Sequence, residues 1–208
     1  MLWTRFFQGK QYLSSGLLGH NCSAGTEERE IIPRNHDVQF YSDDVSFLVG
    51  LTRFIEAALE AGSAVIVVAT ESHRQSLLQG LQAHGMDIVT ATERGRYIPL
   101  DAAEMLSTFM ESAGPNRERF LSTFGALIRS AETAEGKHNS VVVFGEMAAV
   151  LCTEGRMKAA IELEQLGNEL AQTHSFYVRC AYPITEELKG EPYATICAEH
   201  SAVLPAET

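Results

Sequence analysis

This sequence has no glycine-rich phosphate loop where an α/β nucleotide-binding protein would carry one. Its first strand-helix turn reads His36-Asp37-Val38-Gln39-Phe40-Tyr41-Ser42-Asp43-Asp44 and runs into an apolar-periodic stretch from Val45 to Leu59. A turn that cradles ATP offers glycines, backbone N–H groups and a lysine to phosphate. This turn offers an aromatic pair and two acids, which satisfy the helix's open amides internally and repel phosphate. Basic residues are short as well: 16 Lys and Arg stand against 27 Asp and Glu, for a net charge of -11. That balance argues against nucleic acid or an anionic membrane as a direct partner. The four cysteines, Cys22, Cys152, Cys180 and Cys197, include no Cys-x-x-Cys pair. Their spacing therefore shows neither a zinc signature nor a disulfide framework, and reduced thiols in a cytoplasmic protein are the plain expectation. No apolar run approaches the roughly 20 residues needed to span a bilayer. Residues 1–10 have no continuous apolar core and no small-residue cleavage site, which argues against a secretory signal.

What is present fits one α/β domain with an extension. The 208 residues are 45% hydrophobic, enough for a sizeable core. Residues 1–35 read as an N-terminal extension and linker. Within it Trp3, Phe6, Phe7, Lys10, Leu13 and Leu17 fall near helical spacing, so a short amphipathic helix and a frayed terminus are the two readings. The folded domain is expected over 36–204, with 205–208 as a tail. Val38, Phe40 and Tyr41 form a first strand, and Phe47, Leu48, Leu51, Phe54, Ile55 and Leu59 the inner face of a first helix. Ala64–Ala69 (AVIVVA) is a strand buried on both faces, as in a parallel sheet. A helix over 72–84 follows, then short strands at 88–90 and 97–101, helices beginning at Asp101 and after Asn116, a buried strand at 141–144, a long helix over 157–173 and a strand at 176–182. This alternation predicts a doubly wound, mainly parallel sheet flanked by helices.

In open parallel sheets ligands bind outside the carboxyl ends of the strands. That rule gathers Tyr41 to Asp44, Thr70 to His73, Gly145-Glu146-Met147 and Cys180 to Pro183 into a pocket with aromatic, thioether and thiol walls and few polar groups. Such a lining suits a small, partly apolar ligand better than a triphosphate. Each residue also has an ordinary explanation. Asp43, Asp44 and Glu71 fit helix capping; His36 fits a surface or capping histidine, and Cys180 a buried small hydrophobe. Glu146 stands where ATPases hold a magnesium-binding acid, but without a lysine loop opposite. Glu164 and Asn168 share one face of the long helix. The sharpest expectation places His36, Tyr41, Glu146 and His200 at the polar end of one buried pocket. Four readings remain: a ligand sensor without catalysis, a degenerate nucleotide binder, an enzyme using Glu146, Cys180 and His36 or His200, and an interaction module with a vestigial nucleotide site. The nucleotide binder needs positive groups at the first turn, and Arg53, His73 and Arg74 are poorly placed for that. No cofactor or metal is expected.

Six segments together resemble one known family: HDVQFY at 36–41, AVIVVATESHRQSLLQGL at 64–81, VVVFGEMAAVL at 141–151, AIELEQLGNEL at 160–170, CAYP at 180–183 and ICAEHSAV at 196–203. It is the MEDS family, the sensory domain of methanogens, methylotrophs and the dichloromethane-responsive repressor DcmR. The resemblance covers about 36–204 and implies a RecA- and KaiC-like fold that has lost the phosphate loop. It also implies a small hydrocarbon-derived ligand and a signalling partner, such as a histidine kinase or transcription regulator. By position it implies ligand-binding roles for His36, Phe40, Tyr41, Gly145, Glu146, Met147, Glu164, Asn168, Cys180, Tyr182 and His200, to which the strand-end rule adds Glu71. Gly167 departs from the pattern, since relatives often carry a tryptophan there, and the change alters one wall. With neither a helix-turn-helix nor a kinase in the sequence, the chain is expected to stand alone and to signal through a partner or as a homodimer.

Overall fold

A computed structural model describes residues 35–134 and 140–205. The extension expected over 1–35, its amphipathic helix included, lies outside the described residues apart from Asn35. Six strands form one all-parallel sheet in the order β3-β2-β6-β7-β1-β8. They are β1 (His36–Tyr41), β2 (Ala64–Ala69), β3 (Tyr97–Asp101), β6 (Val141–Gly145), β7 (Phe176–Pro183) and β8 (Ala202–Leu204). Strands β4 (Met110–Glu111) and β5 (Gly114–Pro115) make a separate two-stranded hairpin.

Alternation along each strand sorts side chains to two faces. Val38 and Phe40 of β1, Ala64, Ile66 and Val68 of β2, and Val178 and Tyr182 of β7 belong to one core. That core is closed by α4 (Ala102–Phe109), α5 (Arg117–Glu132), α6 (Met147–Thr153), α7 (Met157–Thr173) and α8 (Glu191–Ala198). Tyr41, Val65, Val67, Val142, Phe144 and Ala181 face the other way, against α1 (Asp44–Glu60), α2 (Glu71–Ala83) and α3 (Ile88–Glu93). Every residue of β2 is fully buried, as its unbroken apolar run requires, and each large aliphatic side chain so covered contributes about 1.5–3 kcal/mol.

The turn without a phosphate loop closes on itself. Asp43 caps α1 by accepting from the Ser46 amide at 2.7 Å, while Asp44 lies inside the first turn and does not cap. At Ile88-Val89-Thr90 the expected strand is the start of helix α3. Asp87 caps it through the Thr90 amide at 3.0 Å, and only Ile88 of the six is buried. A β-branched pair of which only Ile88 enters the core does not make a strand when an N-cap stands before it. Two elements that the pattern left unassigned, α8 and β8, matter most for the site. Strand β8 pairs with β1 from Asp37 to Gln39, and the turn before it carries His200.

Candidate functional site

Glu164 stands at the centre of a buried polar cluster on the α4 to α8 face. It projects from α7 toward the sheet, and Tyr182 of β7 donates its hydroxyl to Oε1. The other oxygen, Oε2, lies 3.1 Å from His36 Nε2, 3.5 Å from Cys180 Sγ and 3.5 Å from His200 Nε2. His36 Nε2 is also 3.3 Å from Cys180 Sγ. The rings of His36 and His200 lie 4.1 Å apart, tilted by 52°.

Register explains the gathering. Strands β1 and β7 pair with His36 opposite Val178 and Val38 opposite Cys180, so His36, Cys180 and Tyr182 share a face across two strands. Ser201 clamps the start of β1 by donating both its amide and its hydroxyl to the His36 carbonyl, each at 2.7 Å, and by accepting the His36 amide at 3.0 Å. The adjacent His200 is thereby swung inward, and its Nδ1–H is fixed by the Ile196 carbonyl at 2.6 Å.

The hydrogen bonds also set each proton. Asn168 Nδ2 donates to the Glu199 carbonyl at 2.9 Å, which turns Oδ1 toward His36 Nδ1 at 2.8 Å. An amide oxygen accepts, so His36 Nδ1 carries hydrogen and Nε2 faces the carboxylate. Burial would lower the basicity of His36, yet the bond and charge of Glu164, helped by Asn168, raise it above the usual histidine value. Burial works against ionised Glu164 too, but the two imidazoles and the Tyr182 hydroxyl hold its carboxyl down at about 2. Each partner of the His36–Glu164 pair thus favours the charged form of the other. His200 goes the other way: burial lowers it to about 4 against the pull of Glu164, which leaves a neutral ring. Burial, then Glu164, pushes the Cys180 thiol well above its ordinary value.

A cavity of about 60 Å³ opens beside this cluster, between the sheet and helices α5 and α7. Its walls are apolar, from Val68, Val143 and Val178 on the sheet to Phe124, Ile128 and Leu163 on the helices. His36, Glu164 and Cys180 form its polar corner, and Gly145 and Met147 also line it. Such a space admits roughly four waters, or a molecule of similar size. The cavity lies under one face of the sheet, whereas the strand-end rule pointed outside the carboxyl edge. Gly167 of α7 lines it, and a Cβ there would meet only His36 Cε1, at 3.7 Å. Gly167→Ala is therefore accommodated, and it should raise stability by about 0.5–1 kcal/mol in urea unfolding, because glycine inside a helix is unfavourable.

The expected site residues divide between the two faces. His36, Glu164, Asn168, Cys180, Tyr182 and His200 meet as described, with Gly145 and Met147 beside them. Phe40 packs nearby on Tyr182 and Tyr193, with ring centroids 5.8 and 4.5 Å away. Tyr41 points to the opposite face and stacks on Phe47 at 4.1 Å. Glu146 also belongs there, accepting from His73 Nδ1 at 2.5 Å and from the Thr70 amide at 2.9 Å. So His36, Tyr41, Glu146 and His200 do not form one polar end, and Glu146 is not assembled with Cys180 and His36. Glu71 is exposed and bonds only Gln75 among the described residues.

His73, gathered by the strand-end rule but held to be poorly placed for the first turn, does reach that turn. Its ring lies 5.6 Å from that of Phe47, and Nε2 is 4.0 Å from Asp44 Oδ2. Successive helical residues turn about 100°, so His73 faces inward where Glu71 faces out. The bond from Glu146, partly opposed by burial, raises the basicity of His73. A raised native value stabilises the fold fully below the unfolded value near 6.5 and progressively less as pH rises through the native value. The difference in urea midpoint between wild type and His73→Gln should therefore be larger at pH 6 than at pH 9. An equal difference at both values would remove the charged pair from the account.

Among the described residues no helix is long and apolar enough to cross a membrane. No curated protein matches this chain. A family model does: MEDS, the MEthanogen/methylotroph, DcmR Sensory domain, over residues 35–201. The matched span includes both histidines, Glu164 and Cys180.

Proposed function

The chain belongs to the MEDS family of sensory domains, and from that premise we propose that it senses a small, largely apolar molecule without chemically changing it. The ligand occupies the cavity under the sheet and places one polar group against His36, Glu164 and Cys180. The observation that carries this reading is the cavity itself, apolar on nearly every side and ending in a pre-ordered polar corner. Few polar groups, rigidly held, are what fix the orientation of a small ligand. The first turn supports the same reading: its acids are taken up by capping and by His73, and no lysine stands there for a phosphate.

The cavity also touches the elements that would carry a signal. Glu164 and Gly167 sit on α7, whose Asn168 holds the Glu199 carbonyl in the turn before β8. A ligand that moves α7 therefore moves the edge of the sheet. The signal passes from there to a partner protein, such as a histidine kinase or transcription regulator, or to a second copy of the chain. A thermal-shift panel of short-chain alcohols, haloalkanes, carboxylic acids and aromatics tests the reading, with magnesium-ATP as control. A ligand at 100 times its Kd should add about 2.7 kcal/mol of stability. Stabilisation by magnesium-ATP alone would overturn the reading, and silence across the panel would favour an interaction module.

A further inference from the structure

We infer that His36 Nε2, Glu164 Oε2, Cys180 Sγ and His200 Nε2 are a ready-made four-ligand site for a divalent transition-metal ion of the zinc class. All four atoms lie within 4.8 Å of one another, and all four residues are buried or nearly so. Metal-ligand bonds of 2.0–2.3 Å in a tetrahedron imply ligand-ligand edges of about 3.3–3.7 Å. Four of the six edges are 3.1 Å for His36 to Glu164, 3.3 Å for His36 to Cys180, 3.5 Å for Cys180 to Glu164 and 3.5 Å for His200 to Glu164, and the two from His200 to His36 and Cys180 are within 4.8 Å.

A second observation is independent of that spacing. His200 Nε2 is buried and makes no hydrogen bond among the described residues. Its ring hydrogen is committed to the Ile196 carbonyl through Nδ1, so the Nε2 lone pair points at a carboxylate oxygen that is itself only an acceptor. Two acceptors face each other across 3.5 Å inside a protein, an arrangement that a bound cation satisfies and a plain polar core does not. His36 is oriented in the same way, with Nδ1–H on the Asn168 oxygen and Nε2 toward the shared point. Metal-binding imidazoles nearly always have the far nitrogen held by a carbonyl or carboxylate, and here both are. Tyr182 does the corresponding work for the other oxygen of Glu164.

Charge fits as well. When the ion binds, the Cys180 thiol releases its proton to solvent, and His36 Nε2 gives up any proton it carries. The site then holds a thiolate, a carboxylate, two neutral imidazoles and a dication. Its net charge is then zero, which suits a buried position. Thiolate with imidazole selects zinc-like ions over magnesium or calcium. Spacing rules miss the group because its members come from β1, α7, β7 and the turn before β8.

The test uses the full chain, stripped with a chelator and titrated with Co²⁺ and then Zn²⁺. One equivalent of Co²⁺ per chain is expected, with the visible bands of a tetrahedral ion and a near-ultraviolet thiolate-to-cobalt charge-transfer band. An equivalent of Zn²⁺ should bleach both. Cys180→Ser should lose the charge-transfer band, and Cys152→Ser should keep it. Asn168→Ala, which frees the His36 ring without removing a ligand, should weaken Zn²⁺ binding about 10–100-fold. Should Cys180→Ser fail to fold, X-ray absorption on the wild-type zinc protein still reads one sulfur and three lighter neighbours. Absence of stoichiometric uptake, a spectrum of an octahedral ion, or a charge-transfer band that survives in Cys180→Ser would overturn the site. Because metal alone is the probe, such a failure would leave the apolar cavity and its ligand untouched.

Discussion

Replacing Glu164 with alanine is expected to lower the unfolding free energy by about 3–5 kcal/mol, the usual cost of removing one partner from a buried ion pair. The carboxylate does several jobs at once. It accepts the Tyr182 hydroxyl, lies against His36 and Cys180, and faces His200. Alanine would strand the tyrosine hydroxyl and leave the His36 ring with no anion beside it. Glu164→Gln keeps the shape and an oxygen for Tyr182 but loses the charge, so its cost should be smaller, about 1–3 kcal/mol. Both are read from the midpoint of denaturant unfolding at unchanged slope. A loss below about 1 kcal/mol for the alanine variant, the scale of an exposed pair, would mean that the cluster is peripheral to the fold.

Phe124→Ala should cost a similar amount, about 3–5 kcal/mol, and should be partly reversible by a ligand. Phe124 is buried on α5, packs against Phe109 and Phe120 at centroid distances of 6.2 and 4.7 Å, and walls the cavity. Its loss would merge the vacated space with the cavity already present. Dry apolar cavities enlarged in this way take up benzene. Benzene at 100 times its Kd should then restore about 2.7 kcal/mol to the variant and far less to the wild type. If benzene did nothing, the helices would have closed over the gap, and the cavity would be a property of this packing alone.

Much of the fold was legible in the residues. The run AVIVVA specified a doubly buried strand because nothing polar interrupts it, and the long helix over 157–173 appears with the bounds its periodicity gave. The short elements were legible only in part: the strand expected at 97–101 is β3, but the one expected at 88–90 is helix. Ile88 and Val89 look like strand residues, and only a preceding Asp87 cap marks them as helix. The candidate residues were grouped in the sequence by strand end, whereas the structure groups them by face. Parity along β1 separates His36 and Phe40 from Tyr41, and register with β7 adds Cys180 and Tyr182 to the first pair. Parity can be read from sequence; register cannot. The approach of His200 depends on β8, a three-residue edge strand with too little pattern to signal itself.

The central claim is that the cavity under the sheet receives the ligand. The most direct measurement is titration calorimetry of wild type and Gly167→Leu with the compound that stabilises the wild type most. Gly167 lines the cavity, and a Cβ there meets only His36 Cε1 at an ordinary contact distance of 3.7 Å, so a leucine side chain would take up cavity space beside His36. The account predicts binding at one site per chain with a negative heat-capacity change in the wild type. It predicts that Gly167→Leu, still folded, binds at least about 100-fold more weakly, a loss of about 2.7 kcal/mol. Equal affinity in the two proteins would place the ligand elsewhere and contradict the account.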